Sequence, residues 1–125
     1  MEASRIIGEN WGRTRLLSDD AASAKEDNQP LVITEVGDNG VFKGKFVNST
    51  DVLVDGRFMQ DGLRPRIEFT RRNKAGNVTT RFIGRVIEVS GKTTVMIRGR
   101  FTRATTNGDG SITISSGDHE TEKPT

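Results

Sequence analysis

The sequence predicts an all-β protein, a small up-and-down antiparallel barrel of about eight strands, with a two-sheet β-sandwich as the alternative. Three observations lead there. Clusters of turn-forming residues recur at short intervals, and the runs between them are rich in Val, Ile, Phe and Thr. In addition, four segments repeat one pattern, an apolar residue, any residue, Gly, Lys or Arg, then an apolar residue. They are Phe42-Lys43-Gly44-Lys45-Phe46, Val54-Asp55-Gly56-Arg57-Phe58, Phe82-Ile83-Gly84-Arg85-Val86 and Ile97-Arg98-Gly99-Arg100-Phe101. Side chains alternate between the two faces of a strand, so each motif sets two apolar groups and a Gly on one face and its basic residue on the other.

The elements follow in order. A first strand is predicted near Ile6 to Leu17, then a long polar loop over 18–30. Further strands are predicted at Leu31 to Val36, Val41 to Val47, Val52 to Met59, Arg66 to Arg71, Val78 to Val89, Thr93 to Arg103 and Ser111 to Ser115. Between them lie Asp38-Asn39-Gly40, Asn48-Ser49-Thr50, Gln60-Asp61-Gly62, Asn73-Lys74-Ala75-Gly76-Asn77, Ser90-Gly91-Lys92 and Asn107-Gly108-Asp109-Gly110, residues that tolerate positive φ or close their own turns. Short connections favour antiparallel neighbours, and closing the meander removes its exposed edges. The chain divides into an N-terminal tail, 1–5, a single domain, 6–115, and a tail, 116–125, whose lack of apolar residues predicts disorder.

Gly inside a strand costs about 0.5–1 kcal/mol relative to Ala, so four at equivalent positions point to a geometric demand. Bending with room for a neighbouring Phe satisfies it, and so does a cavity. The predicted interior set is Phe42, Phe46, Val52, Val54, Phe58, Phe69, Phe82, Val86, Val95, Ile97 and Phe101. A ligand held there would be apolar, with Phe42, Phe46, Phe58, Phe69, Phe82 and Phe101 as its lining.

The order of Trp11, Gly40 to Phe46, Val52 to Phe58 and Thr79 to Arg85 resembles the calycin superfamily, and within it the avidins. The resemblance implies a barrel with a Trp on its first strand, over which Arg100 or Arg103 would pack. It does not extend to biotin, because avidins line that site with several Trp and Tyr, whereas this chain has one Trp and no Tyr.

The net charge of +2 conceals a segregation. Residues 31–103 hold fourteen basic and seven acidic groups, while both flanking regions are net acidic. The alternative functional reading is therefore sequence-nonspecific binding of nucleic acid or another polyanion through Lys43, Lys45, Arg57, Arg71, Arg72, Lys74, Arg81, Arg85, Arg98 and Arg100. The predicted alternation turns the six Phe inward, away from any base-stacking role. On the outward side Ile83, Ile87, Val89 and Met96 form an apolar patch suited to a homo-oligomer interface.

Catalytic constellations are absent from the sequence reading. With no Cys there is neither a disulfide, a thiol nucleophile nor a Cys-ligated metal. The one His, His119, falls in the polar tail and reads as solvated. Asn107-Gly108-Asp109-Gly110 resembles part of a calcium loop, but Thr105 and Ser116 would occupy its first and twelfth positions, so a hairpin turn is the better reading. The expectation is a non-enzymatic binding or structural protein without metal or cofactor, self-associating and holding a small apolar ligand or a protein partner. No run reaches the roughly 20 apolar residues of a membrane span, which leaves a cytoplasmic protein or a secreted one after signal removal as the expected settings.

Overall fold

The computed structural model describes residues 6–7, 14–23, 25–26, 29–60, 62–88 and 95–123. They form nine strands: β1 Arg15–Ser18, β2 Lys25–Glu26, β3 Leu31–Val36, β4 Val41–Phe46, β5 Val52–Met59, β6 Arg66–Arg72, β7 Val78–Glu88, β8 Val95–Thr106 and β9 Ile112–Lys123. All belong to one antiparallel sheet in the order β2-β1-β9-β8-β7-β6-β5-β4-β3. The all-β class and the meander from β3 to β9 are as expected, and among the described residues the ladder stays open between β2 and β3. Trp11, Val89 and the Ser90-Gly91-Lys92 turn lie outside the described residues.

One face of the sheet surrounds a single apolar core. Strands from both ends of the sheet contribute to it, Leu16 from β1 and Leu31 and Ile33 from β3, together with buried Ile6. Phe69 stacks on Phe82 with ring centroids 4.8 Å apart, and Phe42 meets Phe69 edge-on at 6.1 Å. Phe46 and Phe101 extend the chain of rings on either side. The six Phe are all buried, and these rings fill the space between strands with one another. Such aromatic pairs each add about 0.5–1.5 kcal/mol beyond the area they bury.

Two of the predicted interior residues are placed differently. Val52 is 48 % exposed and Val54 half-buried, while Leu53 packs against the core. A bulge is responsible. Phe42 faces Gly56 while Lys45 faces Val52, and Arg57 faces Glu68 while Val54 faces Thr70, so β5 holds one residue more than either neighbour. Asp55 absorbs the excess at φ 54°. Alternation therefore reverses across Asp55, and only Gly56 and Phe58 keep their predicted inward face.

The C-terminal boundary also moves. Residues 116–123, expected to be a disordered tail, continue β9 and pair with β8 from Ser116 to Lys123. In place of apolar side chains, a twelve-residue ladder and ion pairs to β8 order them. At the other end, β1 is the part of the expected first strand seen among the described residues, residues 8–13 lying outside them, and the polar loop over 18–30 contains the short β2.

The motif glycines serve close approach. A Cβ on Gly56 would lie 2.9 Å from the Phe42 ring, so this Gly makes the space that the Phe occupies. Gly84 and Gly99 face each other across β7 and β8, and a Cβ on Gly99 would lie 2.0 Å from the carbonyl oxygen of Ile83. The demand met at these positions is close packing, the packing part of one of the two sequence readings.

Candidate functional site

Along several strands the inward-facing residues change character toward one end of the sheet. On β6 the sequence Ile67, Phe69 is followed by Arg71, and on β8 Ile97 and Phe101 are followed by Arg103 and Thr105. On β7 Thr80 precedes Phe82, and ahead of β5 Asp51 precedes Leu53. Period-two geometry thereby lays a polar layer over the aromatic core.

Asp51, Arg71, Asn73, Val78, Thr80, Arg103 and Thr105 line an open hollow of about 400 Å³ at this end. Its two arginines rest on rings of the aromatic core. The Arg71 guanidinium carbon stands 4.2 Å from the Phe46 ring centroid, and that of Arg103 stands 5.8 Å from Phe101. The ring faces attract these cations while the hydrocarbon stems cover the core edge. Arg71 Nε donates to Asp51 Oδ2 at 2.7 Å, and another of its nitrogens donates to Gln29 Oε1. Arg103 Nε donates to Thr80 Oγ1 at 3.1 Å. Two guanidinium groups thus share the hollow with one carboxylate.

A second hollow, of about 520 Å³, lies against β1, β8 and β9, with Arg15, Leu17, Arg98 and Arg100 on its wall. Arg98 and Arg100 are already met by carboxylates. Arg98 pairs with Glu120 at 2.9 Å, while Arg100 reaches Asp19 at 2.6 Å and Asp118 at 2.9 Å. These hydrogen bonds raise the Arg100 pKa and lower that of Asp19. The acidic flanks of the chain have folded onto its basic middle.

That arrangement bears on the residues expected to hold a polyanion. Lys43, Lys45, Arg57, Arg72, Lys74, Arg85, Arg98 and Arg100 are exposed. Lys43 pairs with Glu35, and Arg81, half-buried, pairs with Glu68 at 2.9 Å. Arg71 belongs to the opposite face, turned inward with only 13 % of its side chain exposed. The strand alternation places it there, two residues beyond Phe69. Of the expected interface, Ile83 is 41 % exposed, and Ile87 and Met96 are half-buried. Arg100 turns outward to its acidic partners, and Arg103 lies over Phe101, so the inward member of the expected Trp-covering pair is Arg103.

His119 reverses its sequence reading. It is 2 % exposed, with its ring edge-on to Phe82 and Nε2–H donating to the Ile83 carbonyl at 3.2 Å. Burial holds its pKa below the ordinary histidine value, against the opposing pulls of that hydrogen bond and of Asp118. The missing signal was the extent of β9. Once that strand is continued, His119 stands opposite Gly99, on the inward side.

The polar hollow was likewise missed, although its signal was present in the sequence. A charged or hydroxyl residue two positions from an inward Phe recurs in Phe69–Arg71, Thr80–Phe82 and Phe101–Arg103. Among the described residues no three His, Asp or Glu side chains come together as a metal site. No protein-family model matches this chain, and neither a curated protein nor a solved structure is found to match it.

Proposed function

We propose that the protein is a non-enzymatic binding domain in which the curved sheet presents its polar end to a small organic anion. The observation that supports this is the placement of Arg71 and Arg103 on the inner face, over Phe46 and Phe101, beside a hollow of about 400 Å³. That volume lies within the range of small-molecule sites, roughly 300–1,000 Å³. Guanidinium forks match a carboxylate in two-point geometry, and the hydroxyls of Thr80 and Thr105 supply further donors at the wall. An apolar portion of the ligand would rest against Val78, the apolar member of the lining, with the Phe rings lying beneath the arginines instead of lining the hollow.

The basic exterior supports the polyanion reading less well, because Lys43, Arg81, Arg98 and Arg100 are engaged by carboxylates of the same chain. Titration calorimetry with a series of small aromatic and aliphatic carboxylates, each beside its neutral amide, tests the proposal. Carboxylates should bind, their amides should not, and Arg103→Gln should weaken binding at least tenfold. Equal heats for acid and amide, or an Arg103→Gln variant with unchanged affinity, would refute it.

A further inference from the structure

Among the described residues, strand β9 has a stretch of edge that the sheet leaves unused. β1 pairs with β9 only between Gly117 and Glu120, after which the Asp19 amide donates to the Ser116 carbonyl at 2.9 Å and the chain turns away. From Ile112 to Ser115, β9 is paired with β8 alone among the described residues.

Backbone groups alternate in direction along an antiparallel strand. The Ser111 carbonyl accepts from Asn107 on the β8 side, whereas the Ser116 carbonyl accepts on the β1 side. Ile112 and Ile114 therefore aim their N–H and C=O groups at the open edge, while Thr113 aims its own at β8. The side chains of Ile112 and Ile114 are 63 % and 60 % exposed. Natural edges are usually blunted by charge or Pro, yet 111–117 contains neither.

The segment is also a palindrome. Ser111-Ile112-Thr113-Ile114-Ser115 reads identically in both directions, so an antiparallel copy centred on Thr113 meets its own sequence in register. We propose that this edge is a homodimer contact, with two copies of β9 pairing about a two-fold axis at Thr113. Ile112 of each chain then exchanges both backbone hydrogen bonds with Ile114 of the other, four bonds in all, and the four Ile side chains gather on the outer face. Such self-complementarity is what an isologous contact requires, and it favours a second copy over an unrelated strand. The contact is separate from the patch around Ile83 and Met96.

Because the chain contains no Cys, a single substitution reports the register. Thr113 would face its own copy in a non-hydrogen-bonded pair, the antiparallel arrangement with the closest side chains and one that suits a disulfide. Oxidation of the full-length Thr113→Cys variant at low concentration should yield a covalent dimer on a non-reducing gel, and Ile83→Cys should not. By sedimentation velocity the unsubstituted chain should be a dimer and Ile114→Pro a monomer, since Pro there removes only the N–H aimed at the edge. Ile114→Lys, which keeps every backbone donor, should also be monomeric and covers a fold lost to Pro. A monomeric unsubstituted chain across a concentration series, a dimer that neither variant dissociates, or equal cross-linking through Ile83→Cys would overturn the proposal.

Discussion

The His119 imidazole meets the Phe82 ring edge-on, centroids 5.1 Å apart at an interplanar angle of 85°, with its Cε1 beside Gly84. A neutral imidazole suits this place, being wide enough to cover the two glycines and able to satisfy the Ile83 carbonyl with one N–H. Protonation would put a charge into a buried site beside the apolar core. The polar ring of His119 is thus used here for packing.

Stability should fall as the pH drops below the ordinary histidine value of 6.5. Burial depresses the folded-state pKa, so above 6.5 both folded and unfolded chains carry neutral His119 and its contribution is intact. Below 6.5 the unfolded chain takes up the proton first, and the loss grows until the folded pKa is reached. This is the only His in the chain, so the window belongs to it. Urea midpoints measured from pH 8 to 5 should decline toward pH 5 in the native chain and flatten in His119→Gln; parallel curves for the two would contradict the assignment.

Gly99→Ala should be strongly destabilising and Gly108→Ala nearly neutral. The added methyl at position 99 would lie 2.0 Å from the Ile83 carbonyl oxygen and 2.5 Å from the Gly84 Cα, both backbone atoms that cannot swing aside. Overpacking of this kind costs about 1–3 kcal/mol, and the backbone setting places Gly99 at the upper end. At Gly108 nothing lies within 4 Å of the new methyl. Thermal midpoints of the two variants decide the matter, and a Gly99→Ala midpoint equal to that of Gly108→Ala would remove the close-approach account of the motif.

The bulge in β5 makes Asp55 the residue on which the inward placement of Leu53 and Phe58 depends. At φ 54° a β-branched side chain is strained, whereas Gly is not. Asp55→Val should therefore lower stability by about 1–2 kcal/mol, and Asp55→Gly should leave it within about 0.5 kcal/mol. Chemical denaturation gives both values. A Val variant as stable as the Gly variant would mean that position 55 does not carry the strain.

Much of the fold was legible because its signals are local. The limits of β3 and β5 follow from alternation and flanking turns, as do the inward Phe residues on β4, β6, β7 and β8. Three things were not local. The Asp55 bulge reverses faces through a single backbone angle that Asp does not announce. The continuation of β9 through Asp118, His119 and Glu120 depends on Arg98, Arg100 and Gly99 opposite, residues some twenty positions away, so composition alone reads as a solvated tail. The polar hollow combines side chains from β6, β7 and β8, and each taken alone looks like one more outward charge or hydroxyl.

Phe69→Ala should be the most damaging of the core truncations. Phe69 touches Phe42, Phe46 and Phe82 at once, so its removal both loses transfer free energy and opens a space that three other rings cannot all relax into. A cost of about 3–5 kcal/mol follows, against about 1.5–3 kcal/mol of burial for an average large side chain. If Phe58→Ala, outside this chain of rings, proved equally costly by urea denaturation, the aromatic stack would not be the centre of the core.

Asp51→Asn should lower stability yet tighten the binding of a small carboxylate. Asp51 accepts from Arg71 Nε at 2.7 Å, and both side chains are largely covered, at 24 % and 13 % exposure. A hydrogen bond to a charged group in such a setting contributes roughly 1.5–3 kcal/mol, which the amide recovers only in part. The same carboxylate competes with an incoming anion for the Arg71 guanidinium and repels it across the hollow, so neutralising it removes both obstacles at once. Arg71→Gln has the opposite consequence for binding, since it deletes one of the two cations and leaves Asp51 in place. Calorimetric titration of the three proteins with one carboxylate should therefore rank Asp51→Asn above the unsubstituted chain and Arg71→Gln below it. A ranking that followed stability instead, with Asp51→Asn the weakest binder, would show that the Asp51–Arg71 pair is a strut of the fold and not part of a receiving site.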